Sequence, residues 1–264
     1  LDENDGNWYA FDKLDIGVGR LPVKTTQDAE AIVNKLIDYS SNASSNLGDW
    51  KQKMAFIADN GDGNIFLTNA ETLTKKISSV APNYNINKIY LASYQKEVLP
   101  NNTVAPGANA DVSKAISDGV LVVNYIGHGN ERQLASEAVL TSTDIQTLNN
   151  VHYPFVVTAT CDFGKYDDPN LVSGAEYFIL QPSGGAIGLL TTTRPVYQSG
   201  NELINASFND NILLKENNKY QRLGEIQRKC KNNSIYDIYN RNFALLGDPS
   251  MLLSYPKDNV VLTT

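Results

Sequence analysis

The chain predicts an α/β protein built on a mostly parallel β-sheet with helices on both faces. Short β-branched runs alternate with helical stretches along its length. Two of those runs, GVLVVNYI (119–126) and PFVVTAT (154–160), are almost continuously apolar, as strands covered on both sides must be. With 264 residues, 42% of them apolar and 19% charged, there is enough material to bury one large core. No composition shift, repeat or low-complexity tract divides 15–256, which reads as one domain with a lead-in over 1–14 and a tail or linker over 257–264.

Taken in order, the expected strands are MAFIA (54–58), KIYLA (88–92), GVLVVNYI, PFVVTAT and GAIGLLT (185–191). The helices between them have legible starts. Thr25 or Thr26 caps DAEAIVNKLIDY, where Ile32, Leu36 and Tyr39 share one face. Asn69 caps AETLTKKISSV, with Glu71 in its first turn. Shorter helices are expected at 111–117 and 142–148, while 175–180 is apolar on all sides and therefore buried. The region 201–230 reads as largely helical, and NNTVAPGANA (101–110) as a loop.

Charge excludes one class of function. Twenty-two basic against twenty-nine acidic side chains leave a net charge of −7, with no basic block, so nucleic acid is not an expected partner. No apolar run approaches the roughly 18 residues of a spanning helix. The chain opens LDENDG, without an initiator Met or a basic-then-apolar leader, and reads as a mature product or an excised piece. Its two cysteines, Cys161 and Cys230, form no C-x-x-C pair and are expected to remain unbridged. A structural zinc site would need both of them to converge with His128 and His152, the two histidines of the chain.

The chemistry gathers at two strand ends. In open parallel sheets ligands bind beyond the carboxyl ends of the strands. One apolar strand runs into Gly127-His128-Gly129 and the next into Cys161, thirty-three residues later, with the helical TSTDIQTLNN between them. That spacing suits a right-handed strand–helix–strand crossover and would leave the two strands as neighbours or near neighbours. An imidazole beside a thiol can take its proton and leave a nucleophilic thiolate. The glycines beside His128 permit close approach of backbone, so the amides of Gly129 and Cys161 are natural donors to an oxyanion. A cysteine after an apolar strand is commonly just a small buried hydrophobe; its pairing with a Gly-flanked histidine at a matching strand end is what lifts the catalytic alternative. Cys230, in the polar stretch EIQRKCKNN, reads as structural, and His152, ahead of a strand, as a surface loop residue at the wrong end of the sheet.

NYIGHG followed by TATC resembles the catalytic core of the gingipain-type cysteine peptidases, which share the caspase-like fold. LDIGVGRLPV, IADNGDG, GGAIGLLTTTRPVY and LLGDPSMLLSYP extend the similarity over roughly 15–256. Within that family three features resemble the sortase branch that serves type IX secretion. They are KIYLASY, the acid after the cysteine in TATCD with Asp167, Asp168 and Pro169 downstream, and TTTRPVY.

The resemblance implies a set of roles. His128 would be the catalytic histidine and Cys161 the nucleophile, with Gly129 and Cys161 supplying the oxyanion hole. Thr192, Thr193 and Arg194 match the segment lining the primary specificity pocket. That pocket takes a basic side chain in gingipains, which Arg194 here argues against. Where gingipains carry a glutamate to orient the histidine, this chain offers Asp59, Asn60 and Asp62, with Asp59 favoured by position. The same stretch would also suit a plain turn, or Asp59 and Asp62 could hold a structural calcium ion of the kind gingipains bind. No cofactor is required for the reaction.

The implied activity is cleavage of the C-terminal signals of secreted cargo proteins through a cysteine thioester. A glycolipid acceptor and other type IX secretion components would be partners, and the bacterial cell surface or outer membrane the location. A secreted endopeptidase without transferase activity and a catalytically silent secretion component are the alternatives. Sortases of this branch are much longer, so 257–264 would link to further β domains.

Overall fold

Seven strands make the main sheet: β1 (Gly19–Arg20), β2 (Lys53–Ala58), β3 (Asn85–Tyr90), β4 (Val122–Ile126), β5 (Phe155–Ala159), β6 (Gly188–Thr192) and β7 (Phe243–Leu246). The structure is a computed structural model and describes residues 13–41, 47–234 and 238–256. The tail at 257–264 and most of the lead-in lie outside the described residues. The strands stand in the order β1-β7-β6-β5-β4-β2-β3. The five strands from β6 to β3 run parallel to one another. β7 is antiparallel to β6, and β1 pairs parallel with β7.

The helices are α1 (Thr26–Ser40), α2 (Ile65–Val80), α3 (Pro106–Asp118), α4 (Ser142–Gln146), α5 (Gly174–Leu180), α6 (Gln198–Ile212) and α7 (Leu223–Asn233). Alternation along β2 shows how they divide between the faces. Ala55 and Ile57 join a core with Val112 and Ile116 of α3, Ile145 of α4 and Phe178 of α5. Met54 and Phe56 join a second core with Ile77 of α2, Phe208 of α6 and Ile226 of α7. A strand buried on both faces has no polar side to present, hence the nearly continuous apolar runs of β4 and β5, broken only by the buried Asn124 and Thr158.

Several boundaries depart from expectation, each for a local reason. α2 begins at Ile65, so Asn69 lies inside it rather than at its cap. The turn before it strings together left-handed residues, Asp62 (φ 50°), Gly63 (φ 67°) and Asn64 (φ 66°), a conformation that Asp and Asn tolerate best after Gly. α3 begins at Pro106, so the expected loop at 101–110 is half helix; Pro at the first turn costs no hydrogen bond. β4 starts at Val122 because Gly119, with φ 88°, is still ending α3. β3 stops at Tyr90, where a 3-10 turn over Leu91–Ser93 takes up the rest of KIYLA. The region 201–230 is two helices separated by a small antiparallel ribbon, Lys215–Glu216 with Lys219–Tyr220. The edge strand β1 and the antiparallel β7 carry no apolar run long enough to be read in advance.

Candidate active site

Register brings the reactive residues to one level. Ala58, Ile126 and Ala159, the last residues of β2, β4 and β5, are aligned partners across the sheet. The ladder continues one step further, with Asp59 N–H donating to Ile126 O at 3.0 Å and Gly127 N–H to Ala159 O at 3.2 Å. His128 and Cys161 therefore each stand two residues beyond the same aligned pair, on neighbouring parallel strands whose spacing is about 4.8 Å.

The backbone of His128 is gripped on both sides. Its N–H donates to Asp59 Oδ2 at 3.0 Å. Its C=O accepts from the buried Tyr125 hydroxyl and from Ala135 N–H at 2.9 Å. Asp59 is itself buried and spends its other oxygen on Gly61 N–H at 3.1 Å. Thus Asp59, expected to orient the imidazole, instead holds the peptide that carries it. The carboxylate that meets the ring belongs to Asp62, whose Oδ2 lies 3.3 Å from Nε2, both side chains being about half exposed (52 and 56%). Phe66 stands edge-on to the imidazole with centroids 5.3 Å apart. Gly127 must lack a side chain here, since a Cβ would fall 2.2 Å from Asp59 Cβ.

Gly129 presents its amide away from neighbouring backbone. It bridges Leu134 in an antiparallel pair whose hydrogen bonds are made by the flanking residues, Asn130 N–H to Gln133 O and Ala135 N–H to His128 O. In such a non-hydrogen-bonded pair the N–H of the bridging residue points outward from the ribbon. The amide expected to serve an oxyanion is thus free of the ribbon that positions it.

Cys161 is half-buried, and its Sγ lies 3.5 Å from the backbone N and O of Val196, so the segment after β6 folds over the thiol. That segment is pinned by Asn242, whose O accepts from Thr193 N–H at 2.8 Å and from Thr193 Oγ1 at 3.1 Å, and whose Nδ2 donates to Pro195 O at 2.9 Å. Arg194 is engaged in a two-pronged pair with Asp167, at 2.9 and 2.5 Å. The guanidinium holds the Asp167 carboxyl below the usual range. Asp162, next to the nucleophile and in the left-handed region (φ 57°), has its pKa pushed up by burial and then by Glu131.

Of the three residues expected to line a specificity pocket, Arg194 is exposed and Thr193 half-buried. Thr192 is completely buried, its hydroxyl given to Thr160 O at 2.5 Å, so its side chain contacts the nucleophile's own strand rather than an open pocket. Cys230 is buried and unbridged, its thiol pushed up to about 12 by burial, as suits a structural residue. His152 lies in the loop ahead of β5, as expected, but is half-buried there: it stacks on Trp50 at 4.8 Å, and burial lowers its pKa. Asp59 and Asp62 do not fit a calcium ion as they stand, since one carboxylate faces two backbone amides and the other the imidazole. Among the described residues no group of three or more His, Cys, Asp or Glu converges on a metal position. No helix among them is long and apolar enough to cross a membrane.

Tyr125, Val196 and Asn242 were not singled out from the sequence. A tyrosine inside a fully buried strand is a legible signal, because its hydroxyl needs a buried partner. Nothing local marks Val196, which the segment after β6 brings over the thiol, or Asn242, which pins that segment through the chain's return in β7.

This arrangement is that of the caspase-like gingipain fold. The crystal structure of the Arg-specific cysteine proteinase gingipain R (RgpB) matches with a TM-score of 0.72 and 18% identity, covering 90% of this chain and 55% of that one. The complex of the Porphyromonas gingivalis RgpB pro- and mature domains matches at 0.73 with 16% identity, over 90% of this chain and 57% of that one. At the level of sequence, the model of peptidase family C25 matches residues 1–254, and the chain belongs to that family of gingipain-type cysteine peptidases. Gingipain R2 and gingipain R1 of Porphyromonas gingivalis are each 24% identical to it over 160 residues, 58% of this chain. The chain spans only 19% and 14% of the length of those relatives.

Proposed function

We propose that this chain is a thiol-dependent acyl-transfer domain acting on polypeptides, with Cys161 as nucleophile and His128 as its acid–base partner. The supporting observation is the placement of both residues two positions beyond one aligned pair on adjoining parallel strands. His128 takes the thiol proton and the thiolate attacks a peptide carbonyl. The tetrahedral oxyanion receives the amides of Gly129 and Cys161. His128 returns the proton to the leaving amine as the C–N bond breaks, and a thioester remains. Asp59 acts through the histidine's backbone and Asp62 on its ring.

The finer reading is that the thioester is resolved by the amine of an acceptor, as in the PorU-like sortases of type IX secretion. Cargo proteins would then be substrates, a glycolipid the acceptor, other secretion components partners, and the bacterial surface the location. One feature favours this branch over a digestive endopeptidase: two of the segments that resemble it, Asp167-Asp168-Pro169 and TTTRPVY, form one unit through the Arg194–Asp167 pair. That pair also neutralises the Arg194 cation and leaves substrate preference to other side chains.

Two measurements test the proposal. A thiol-directed peptidyl ketone is expected to modify Cys161 and to fail with His128→Ala; labelling of Cys230 alone, or none, would sink the enzymatic reading. Incubation with a secretion-signal peptide and an amine nucleophile should yield the amine adduct by mass. Exclusive appearance of the hydrolysed product would return the protein to the endopeptidases.

A further inference from the structure

One buried hydroxyl on the neighbouring strand is aimed at the nucleophile's peptide. Thr192, the last residue of β6, has no exposed surface. Its Oγ1 donates to Thr160 O at 2.5 Å, and its own C=O accepts from Gly164 N–H at 2.7 Å. It therefore brackets the turn that carries Cys161 from both ends. Across the sheet it is held in turn by β7, where Phe243 is its antiparallel partner.

The direction of the Cys161 amide follows from this contact. The Thr160–Cys161 peptide is trans, as is every peptide bond among the described residues, so the C=O of Thr160 and the N–H of Cys161 lie on opposite edges of one plane. The preceding carbonyl, Ala159 O, faces β4 and accepts from Gly127 N–H at 3.2 Å. The Thr160 carbonyl faces the other way, to Thr192 on β6. The N–H of Cys161 must then turn back toward β4, the side on which Gly129 sits. Gly129 is close: a Cβ there would fall 2.6 Å from Thr160 Oγ1.

We infer that Thr192 is a positioning residue for the oxyanion hole, its hydroxyl locking the Thr160–Cys161 peptide plane so that the nucleophile's amide faces the Gly129 amide. The inference rests on the acyl-transfer reading above. It replaces the pocket-lining role that the sequence pattern assigned to Thr192.

Thr192→Val keeps shape and burial while removing the donor. With the best-cleaved member of an internally quenched peptide library, kcat should fall about tenfold or more, a share of the roughly hundred- to thousandfold that outright loss of one oxyanion donor costs, while KM stays within twofold. Thr192→Ser should restore most of the rate. Alkylation of Cys161 by iodoacetamide forms no oxyanion and should proceed at the wild-type rate. Thr191→Val is the control, because the Thr191 hydroxyl is also buried, accepting from Thr158 Oγ1 at 2.7 Å, but does not touch the nucleophile's peptide; its kcat should be unchanged. If Thr192→Val does not fold, Thr192→Ala, which adds no bulk, is measured in its place.

A Thr192 variant with wild-type kcat, an equal loss in Thr191→Val, or a parallel loss of alkylation rate overturns the inference while the enzyme reading stands. Wild-type protein without Cys161-dependent turnover overturns both.

Discussion

Asp59 and Asp62 divide between them the work that one carboxylate was expected to do. Asp59 satisfies two backbone amides from a buried position, so its removal leaves the N–H groups of Gly61 and His128 without their acceptor. Orphaned donors cost up to about 1–3 kcal/mol each where fully buried and less at these part-buried positions, and the histidine's peptide is freed to move. Asp62 meets the imidazole across a half-exposed gap, where an ion pair contributes at most about 1 kcal/mol. Asp59→Ala should therefore lower both the melting temperature and kcat substantially, whereas Asp62→Ala should leave stability nearly unchanged and cut kcat only a few-fold. Thermal melts alongside peptide turnover compare the two; the reverse ranking would show that the ring contact governs the histidine. A turn of Asp, Asn and Gly announces itself in sequence, but which acid faces the ring depends on the three left-handed residues that swing Asp62 outward.

At the scale of elements, the start of a helix is legible where a side chain caps it. Thr25 with Asp28, Thr141 with Asp144 and Ser173 with Glu176 all form capping boxes, and α1, α4 and α5 begin at or within a residue of where they were expected. α2 and α3 lack such caps, and both were expected too late. Attachment of helix to sheet was not legible at all. Asn124 of β4 and Asn205 of α6 exchange buried amide hydrogen bonds at 2.6 and 2.9 Å, and Asn209 adds a bond to Asn205 O at 2.8 Å. Asn205→Ala should destabilise by about 2 kcal/mol, because Asn124 is left buried without its partner. Adding Asn124→Val should recover part of that loss. Urea unfolding of the single and double variants checks this, and simple additivity would show that the two amides act independently.

The whole molecule carries a buried lysine in its core with no carboxylate among the described residues beside it to offset the cost of burial. Lys35 of α1 lies on the buried face beside Ile32 and Tyr39, its Nζ donating to Ile179 O at 3.0 Å. Burial lowers its pKa from 10.5 to about 7. Between that value and the ordinary lysine range the unfolded chain holds a proton that the folded chain does not, so this group makes stability rise with pH from about 7 to about 10. Below that window both states are protonated and the full cost, up to roughly 5 kcal/mol by linkage, is present. Lys231, lowered to about 8 by burial, slopes the same way. Lys35→Met should be more stable than the wild type at pH 6.5 and show a flatter rise toward pH 9.5. Urea unfolding at the two values measures it, and parallel profiles would mean that the ammonium is solvated.

Local order and the chemistry at strand ends were decided by the sequence itself. Apolar runs must be buried on both faces, the carboxyl ends of parallel strands gather reactive groups, and His128 and Cys161 stand at the ends of two such runs. What required the tertiary structure was every contact made by chain returning from far away. Asp62 on the imidazole, Val196 over the thiol, Asn242 pinning the segment that carries Val196 and Thr192 behind the nucleophile's peptide are brought in by register and loop geometry. Those contacts depend on how strands line up across a sheet, and nothing in the residues next to either partner encodes that alignment.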